Sequence, residues 1–396
     1  MLEDTEWTGL ESNIWKLYLF KMLYGFFISI PIIVLFWKSN GLDMFQVMLL
    51  QGLFAVSVIF LEVPTGYFAD RYGRKLTLLY AAVFATIGIT AYSLGTNFYQ
   101  FLLGELLWAI GVSLVSGADS AMFFDTLVEM GEEESYKELW GKANSYYMFS
   151  AAGAAILGGI VAEASLRLTL FMQIPFFAAM IPLAWSMREP EHHREVSEEE
   201  KELKEVVKEV FKRPKLRNLM IYAAVLYAGL QTAFWFYQPY FKLTVLDIAA
   251  FGFIYAGFNV VSALSSKYAH SIEDQVGKRI SLIGLVVLVS ASLFLMSRFV
   301  FVLSIGFILL QQFVRGFSKP VISDYINRIV ESENRSTILS TRSLLGRVIM
   351  AVSMPLFGLI SDLYDIQHAL LLLAATVLAT GTTTLLLLWT EDVIEL

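Results

Sequence analysis

The side chains of this sequence that could carry chemistry are ionisable groups set inside apolar runs. Glu105 and Asp119 stand in the run from 98 to 122, and Glu62 lies near the end of the run from 45 to 68, just before Val63, Pro64, Thr65 and Gly66. On the run from 299 to 323, Gln311, Arg315 and Lys319 recur at every fourth residue and so share a helical face. Arg342 and Arg347 interrupt the run from 337 to 361, and Lys21 and Tyr24 the run from 14 to 37. A charge surrounded by hydrocarbon is costly, so each of these is a functional candidate until a local partner explains it. Desolvation favours the protonated form of a carboxylate, which lets such a group load a proton from one aqueous face and release it to another. Glu105 is the leading candidate for that role, followed by Asp119 and Glu62. The bases suit a different task, binding an anionic ligand, and Arg347 is the better candidate of the two on its run.

Each candidate also has a plainer reading. Asp119 either faces a ligand or pairs with Arg315 or Lys319 to close an inner gate. Lys21 lies in the first two turns of its run, from which its ammonium can reach the aqueous interface. Glu62 either caps or pairs locally, where Pro64 and Gly66 loosen the helix end, or takes part in coupling. Arg342 either meets an anion or pairs with acids of the inner loops.

Several chemistries are excluded. The chain has no cysteine, so disulfides, thiolate metal sites and cysteine nucleophiles are ruled out. His192, His193, His270 and His368 fall in loops or at the ends of apolar runs without metal-ligand spacing, so neither a metal site nor enzymatic catalysis is expected. A formal charge of -7, with the bases dispersed among short loops, argues against nucleic acid as a partner.

Helices in a bilayer must position the remaining candidates. Of the 396 residues 57% are hydrophobic and 16% charged, against about a quarter charged in a soluble chain. The mean hydropathy is +0.61. Apolar segments cover roughly 14–37, 45–68, 76–95, 98–122, 143–163 and 168–187, then 217–241, 247–267, 279–297, 299–323, 337–361 and 366–389. They are continuously apolar and about 20 residues long, twice the length of a barrel strand and without its alternation, so the expectation is an all-α polytopic membrane protein with twelve spans. With the N-terminus inside, the short inner loops hold Arg71, Arg74, Lys75, Lys137, Lys142, Lys267, Lys278, Arg279, Arg328 and Arg335. The outer ends hold only Lys38, Arg167, Lys242 and Arg298. That bias places both termini in the cytoplasm. The N-terminus lacks the pattern of a signal peptide, so the first span is expected to be retained.

Three regions follow: 1–189 with six spans, a linker at 190–216, and 217–396 with six more. Leu203, Val206, Val207, Val210 and Phe211 recur at helical spacing among the charges of the linker, which predicts an amphipathic helix bridging the halves along the surface. A shift of 199 residues lays Gly117 on Gly316, Asp125 on Asp324, Glu132 on Glu331, Glu134 on Glu333 and Gly159 on Gly358, and sets Glu163 against Asp362. The halves are therefore two six-span pseudo-repeats.

The stretch after the second span reads Gly66, Tyr67, Phe68, Ala69, Asp70, Arg71, Tyr72, Gly73, Arg74, Lys75. It resembles the signature loop of the major facilitator superfamily, and the span count and repeat extend the resemblance over the whole chain. The resemblance implies a central cavity lined by spans one, four, seven and ten. Lys21 and Tyr24, Trp108, Gln231 and Trp235, and Gln311, Arg315 and Lys319 would then face it. It also implies that Asp70 and Arg74 join Asp125 in a charge cluster that latches the outward-facing state, with Gly66 opening the motif. The counterpart in the second half retains only Gly277, Lys278 and Arg279. Span five has the Gly158–Gly159 pair but lacks the Gly-Pro of the family's antiporters, and Glu105 lies where many proton antiporters carry an arginine.

The leading expectation is a secondary active transporter of the proton-coupled drug-efflux kind, working by alternating access on amphipathic organic compounds. An organic-anion transporter or exchanger using the bases of the second half is the alternative, and a non-transporting scaffold or receptor is the third. No cofactor is expected beyond a proton gradient as energy source. The expected partners are a small-molecule substrate and the lipid bilayer, with the chain a monomer in the cell membrane.

Overall fold

The structure, a computed structural model, describes residues 4–191, 212–330 and 335–390, and every regular element among them is helical. The linker helix expected at 190–216 falls largely on residues 192–211, which lie outside the described residues together with His192 and His193.

Span one consists of two pieces, α1 (Asp4–Gly25) and α2 (Ile33–Ser39), and span four of two more, α5 (Phe98–Val115) and α6 (Ala118–Glu129). Spans two and three are α3 (Met44–Tyr72) and α4 (Arg74–Leu94); spans five and six are α7 (Tyr136–Ala164) and α8 (Leu166–Trp185). Spans seven to nine are α9 (Pro214–Leu243), α10 (Ile248–Lys267) and α11 (Ala269–Arg298). A 3-10 turn at Val302–Phe307 leads into α12 (Ile308–Ile329) as span ten, and α13 (Arg335–Leu363) and α14 (Ile366–Thr390) complete the set. Among the described residues, ten spans are long and apolar enough to cross a membrane by length and composition. The other two are spans one and ten. The break divides span one, whose longer piece carries Glu11, Lys16 and Lys21, and α12 carries Arg315, Lys319, Asp324 and Arg328.

Both breaks in the first half have local causes. After Gly25 the backbone turns through Phe26–Ile32, and the main-chain N–H and hydroxyl of Ser29 both donate to Oε1 of Gln173 on α8, at 3.2 and 3.1 Å. Irregular backbone at membrane depth is tolerated where protein groups satisfy it in this way. At the second break Gly117 has φ +85°, a conformation that costs any other residue about 1 kcal/mol or more. Glu105 and Asp119, which share one apolar run in the sequence, therefore stand on different helices, Asp119 in the first turn of α6.

The chain divides into two compact units, residues 1–42, 53–197 and 248–256 in one, and 43–52, 198–247 and 257–396 in the other. In the first unit α7 packs closely on the start of α10, so that a Cβ at Gly159 would lie 2.6 Å from the Ala249 carbonyl oxygen. In the second, α13 meets the start of α3 the same way, a Cβ at Gly358 lying 2.6 Å from the Met44 carbonyl. There Asp362 accepts the N–H groups of Met44 and Phe45 at 3.0 and 2.6 Å, while Asp43 accepts that of Gln46 at 2.7 Å. Two carboxylates thus satisfy the N–H donors that begin α3.

Candidate functional site

The signature residues are almost wholly helical. α3 runs unbroken through Pro64 and Gly66 to Tyr72, so the expected loosening of its end at Pro64 and Gly66 does not occur, and the turn into α4 is Gly73 alone. Arg74, buried at the start of α4, holds Asp70 through Nη1 at 2.8 Å and approaches Asp125 of α6 through Nε at 3.8 Å. The three residues that the resemblance groups into a latch are therefore adjacent. Glu189 completes the turn, accepting the main-chain N–H groups of Arg74 and Lys75 at 2.6 and 2.7 Å. Sequence reasoning missed Glu189, which lies more than a hundred residues away in a polar stretch. Gly66 has open space beside it, and Glu62 is half-buried one turn before it, its carbonyl accepting the Thr65 hydroxyl at 3.3 Å.

Deeper in this unit, Lys21 does not reach for the interface. Its ammonium lies 2.5 Å from Oδ2 of Asp119 and 4.3 Å from the centre of the Trp140 ring. Asp119 therefore pairs within its own half, where the plainer reading gave it Arg315 or Lys319. Trp108 stacks at 9° on Phe177 and at 16° on Tyr24, with ring centres 5.4 and 6.0 Å apart, so it and Tyr24 belong to a packed aromatic cluster. Glu105 is 4% exposed and hydrogen-bonds to the hydroxyl of Tyr92 on α4. Its carboxylate faces span three and has a partner there.

The second unit contains a cavity of about 350 Å³ among α9, α12 and α13. Leu226, Tyr227, Leu230 and Ile322 supply its apolar wall, and Gln231, Arg315, Ser318, Lys319, Arg342, Ser343 and Arg347 its polar one. Its lining includes four cations and no carboxylate. Arg315 is aimed by Gln231, whose Oε1 accepts from Nη2 at 3.3 Å, and by the Phe234 ring 5.1 Å away. Arg342 donates to the Ser323 hydroxyl at 3.1 Å, a neutral partner where inner-loop acids were the alternative. Among the described residues no carboxylate pairs with Lys319. Gln311 leaves this group: fully buried, it accepts from Tyr237 at 2.8 Å and donates to Ser292 at 2.8 Å, a satisfied amide in the packing of span nine. Trp235 of α9 stands half-buried beside Phe234 and is not among the lining residues.

The second-half counterpart of the signature turn repeats the backbone of the first. Gly277 has φ +80° and ψ 159°, against +92° and 163° at Gly73. The side chains differ: Asp324 pairs with Arg328 at 2.8 Å, and the hydroxyl of Tyr325 donates to buried Glu273 at 2.7 Å. His270, Glu273 and Asp274 bring potential ligand atoms within 4.8 Å of one another, but Tyr325 already engages the Glu273 carboxylate.

The family model described as Major Facilitator Superfamily matches residues 17–270 and again 246–394. The chain belongs to the major facilitator superfamily. This transporter is 23% identical over 375 residues to an uncharacterized major-facilitator-type transporter, YxaM of Bacillus subtilis, covering 91% of this chain and 92% of that one. It is 21% identical to the quinolone resistance protein NorA of Staphylococcus aureus over 164 residues, 41% of each chain. Among solved structures, a point mutant of the nucleoside transporter NupG superposes with a TM-score of 0.82 at 12% identity, covering 96% of this chain and 99% of that one. A D-xylose-proton symporter does so with 0.73 at 14%, covering 96% and 97%. At such identities the structures establish the fold, the twelve-span major facilitator architecture.

Proposed function

We propose that this member of the superfamily is a secondary active transporter that moves amphipathic organic anions by alternating access. One observation carries the reading, the cavity of about 350 Å³ whose lining includes Arg315, Lys319, Arg342 and Arg347 and no acid. A lining of this composition attracts a negatively charged group, and an anion with an apolar body matches both of its walls. The acids that would recognise a cation are otherwise engaged, Asp119 by Lys21 and Glu105 by Tyr92. On this reading the chain works as a monomer in the cell membrane with both termini in the cytoplasm, driven by an ion gradient, and the cluster of Asp70, Arg74 and Asp125 latches one of its states. Proton-coupled drug efflux is the second reading, supported by the partial likeness to NorA.

Proteoliposomes separate the two. Carboxyfluorescein should be carried by the wild type, and Arg315→Gln and Lys319→Gln should each reduce its flux severalfold. Transport of ethidium with none of carboxyfluorescein would overturn the anion reading in favour of efflux.

A further inference from the structure

We propose that the Lys21–Asp119 pair is the proton-coupling site of this transporter, with Asp119 as the proton acceptor and Lys21 the charge that its protonation releases. The inference rests on the anion reading for what the released charge does, but on separate geometry for where the proton binds.

Lys21 stands four residues before Gly25, where span one breaks, and Asp119 two residues after Gly117, where span four breaks. The ion pair therefore joins the two discontinuous spans beside their breaks. Its side chains are only 13% and 10% exposed. Removing one partner of a buried pair is costly while neutralising both is not, so the pair can switch state when one member changes charge. The groups facing Asp119 are Lys21 and Tyr24 from α1, Tyr136 from α7, and the N–H of Ser120, which donates to Oδ1 at 2.7 Å. Among the described residues, Lys21 is the cation that pairs with it. A proton taken from one aqueous face onto Oδ2 converts a net-neutral pair into a net positive one, which the charge of an anionic substrate balances. Release of that proton to the other face restores the pair. Discontinuous spans are where transporters form their substrate and coupling-ion sites.

Trp140 provides a readout that needs no substrate, because the Lys21 ammonium sits over its ring. The chain has 8 tryptophans, so its signal is taken as the fluorescence difference between wild type and Trp140→Phe in detergent. That difference should change as pH falls, and the change should vanish in Asp119→Asn. In proteoliposomes Asp119→Asn should keep carboxyfluorescein counterflow, which needs no gradient, and lose accumulation driven by a pH gradient. Should Asp119→Asn fail to fold, the double variant Lys21→Gln with Asp119→Asn removes both charges together and must keep counterflow while losing the gradient-driven accumulation. An unchanged Trp140 titration in these variants, or gradient-driven accumulation at the wild-type level, would overturn the proposal. A wild type that moves no carboxyfluorescein yet shows the Asp119-dependent titration would uphold the proton site and overturn the anion reading alone.

Discussion

Spans four and ten descend from the same repeated sequence and do opposite things with the same glycine. In span four, Gly117 adopts φ +85° with nothing within 4 Å of where a Cβ would stand, and the helix breaks. In span ten its counterpart Gly316 stays inside α12, where a Cβ would overlap the Ser262 carbonyl oxygen of α10. One glycine permits a turn and the other permits contact. The turns after spans two and eight show the reverse, a matching backbone at Gly73 and Gly277 with different side-chain chemistry around it. Duplication has preserved places where the backbone is free to differ and left each half to use that freedom separately. The first half uses it for broken spans and a buried ion pair, the second for continuous spans around a cationic cavity.

The largest expected effect that tests this contrast is at the ion pairs beside the two signature turns. Arg74→Gln leaves Asp70 and Asp125 without their shared cation. Breaking a buried pair costs about 3–5 kcal/mol, and the partial exposure of the two acids lowers the expected loss to about 2 kcal/mol. Arg328→Gln removes a side chain that is 54% exposed and should change stability far less than Arg74→Gln does. Unfolding in mixed micelles measures both, and equal losses would erase the distinction between the halves.

Gly316→Ala and Gly117→Ala come next. The first forces a methyl group against backbone and should cost about 1–3 kcal/mol by overpacking. The second meets open space and should cost about 1 kcal/mol through backbone strain. A larger loss at Gly117 than at Gly316 would break the assignment of turn to one and contact to the other.

Asp362 and its repeat partner Glu163 give a smaller contrast. Asp362→Ala removes the acceptor for two N–H groups of α3 and should cost about 1 kcal/mol. Glu163 is exposed, and among the described residues no side chain caps α10. Glu163→Ala should leave thermal unfolding unchanged.

The smallest effect is a difference in pH response between the starts of spans six and twelve. Asp365 lies below its ordinary carboxylate range because the His368 backbone N–H donates to it, with the His368 ring adding to the effect. A carboxylate so depressed stabilises the folded state above its ordinary range, and that contribution is lost as pH falls through the lower folded value. At span six the Ser165 hydroxyl accepts the Leu168 N–H at 3.3 Å and carries no charge to lose. Hydrogen exchange should show protection at His368 fading in acid while that at Leu168 does not; parallel behaviour would refute the difference.

Much of this architecture was legible in the residues. Runs of about 20 continuously apolar residues point to helices, because only helices and closed barrels satisfy the backbone in a bilayer and barrel strands are about half as long and alternate. The family resemblance carried by the signature residues groups Asp70 and Arg74 with Asp125, and the three stand adjacent in space. What could not be read was which buried charge meets which partner. Glu105 and Asp119 look alike in sequence, but a tyrosine on span three takes one and a lysine on span one the other. Gln311 shares its stripe with Arg315 and Lys319, yet it is fully buried against Ser292 and Tyr237 while they line a cavity. Arg342, open in sequence between an anion and inner-loop acids, stands in the cavity wall with a serine for its partner.

The sequence by itself determined the number of spans, their repeat and which side chains would be costly to bury, because hydrophobic length and charge are properties of short segments. The pairing of those charges was decided by tertiary structure alone. A break of two residues at Ser116 and Gly117 places Asp119 on a helix of its own, where Lys21 reaches it. A partner is set by distances across helices, and no local pattern encodes them.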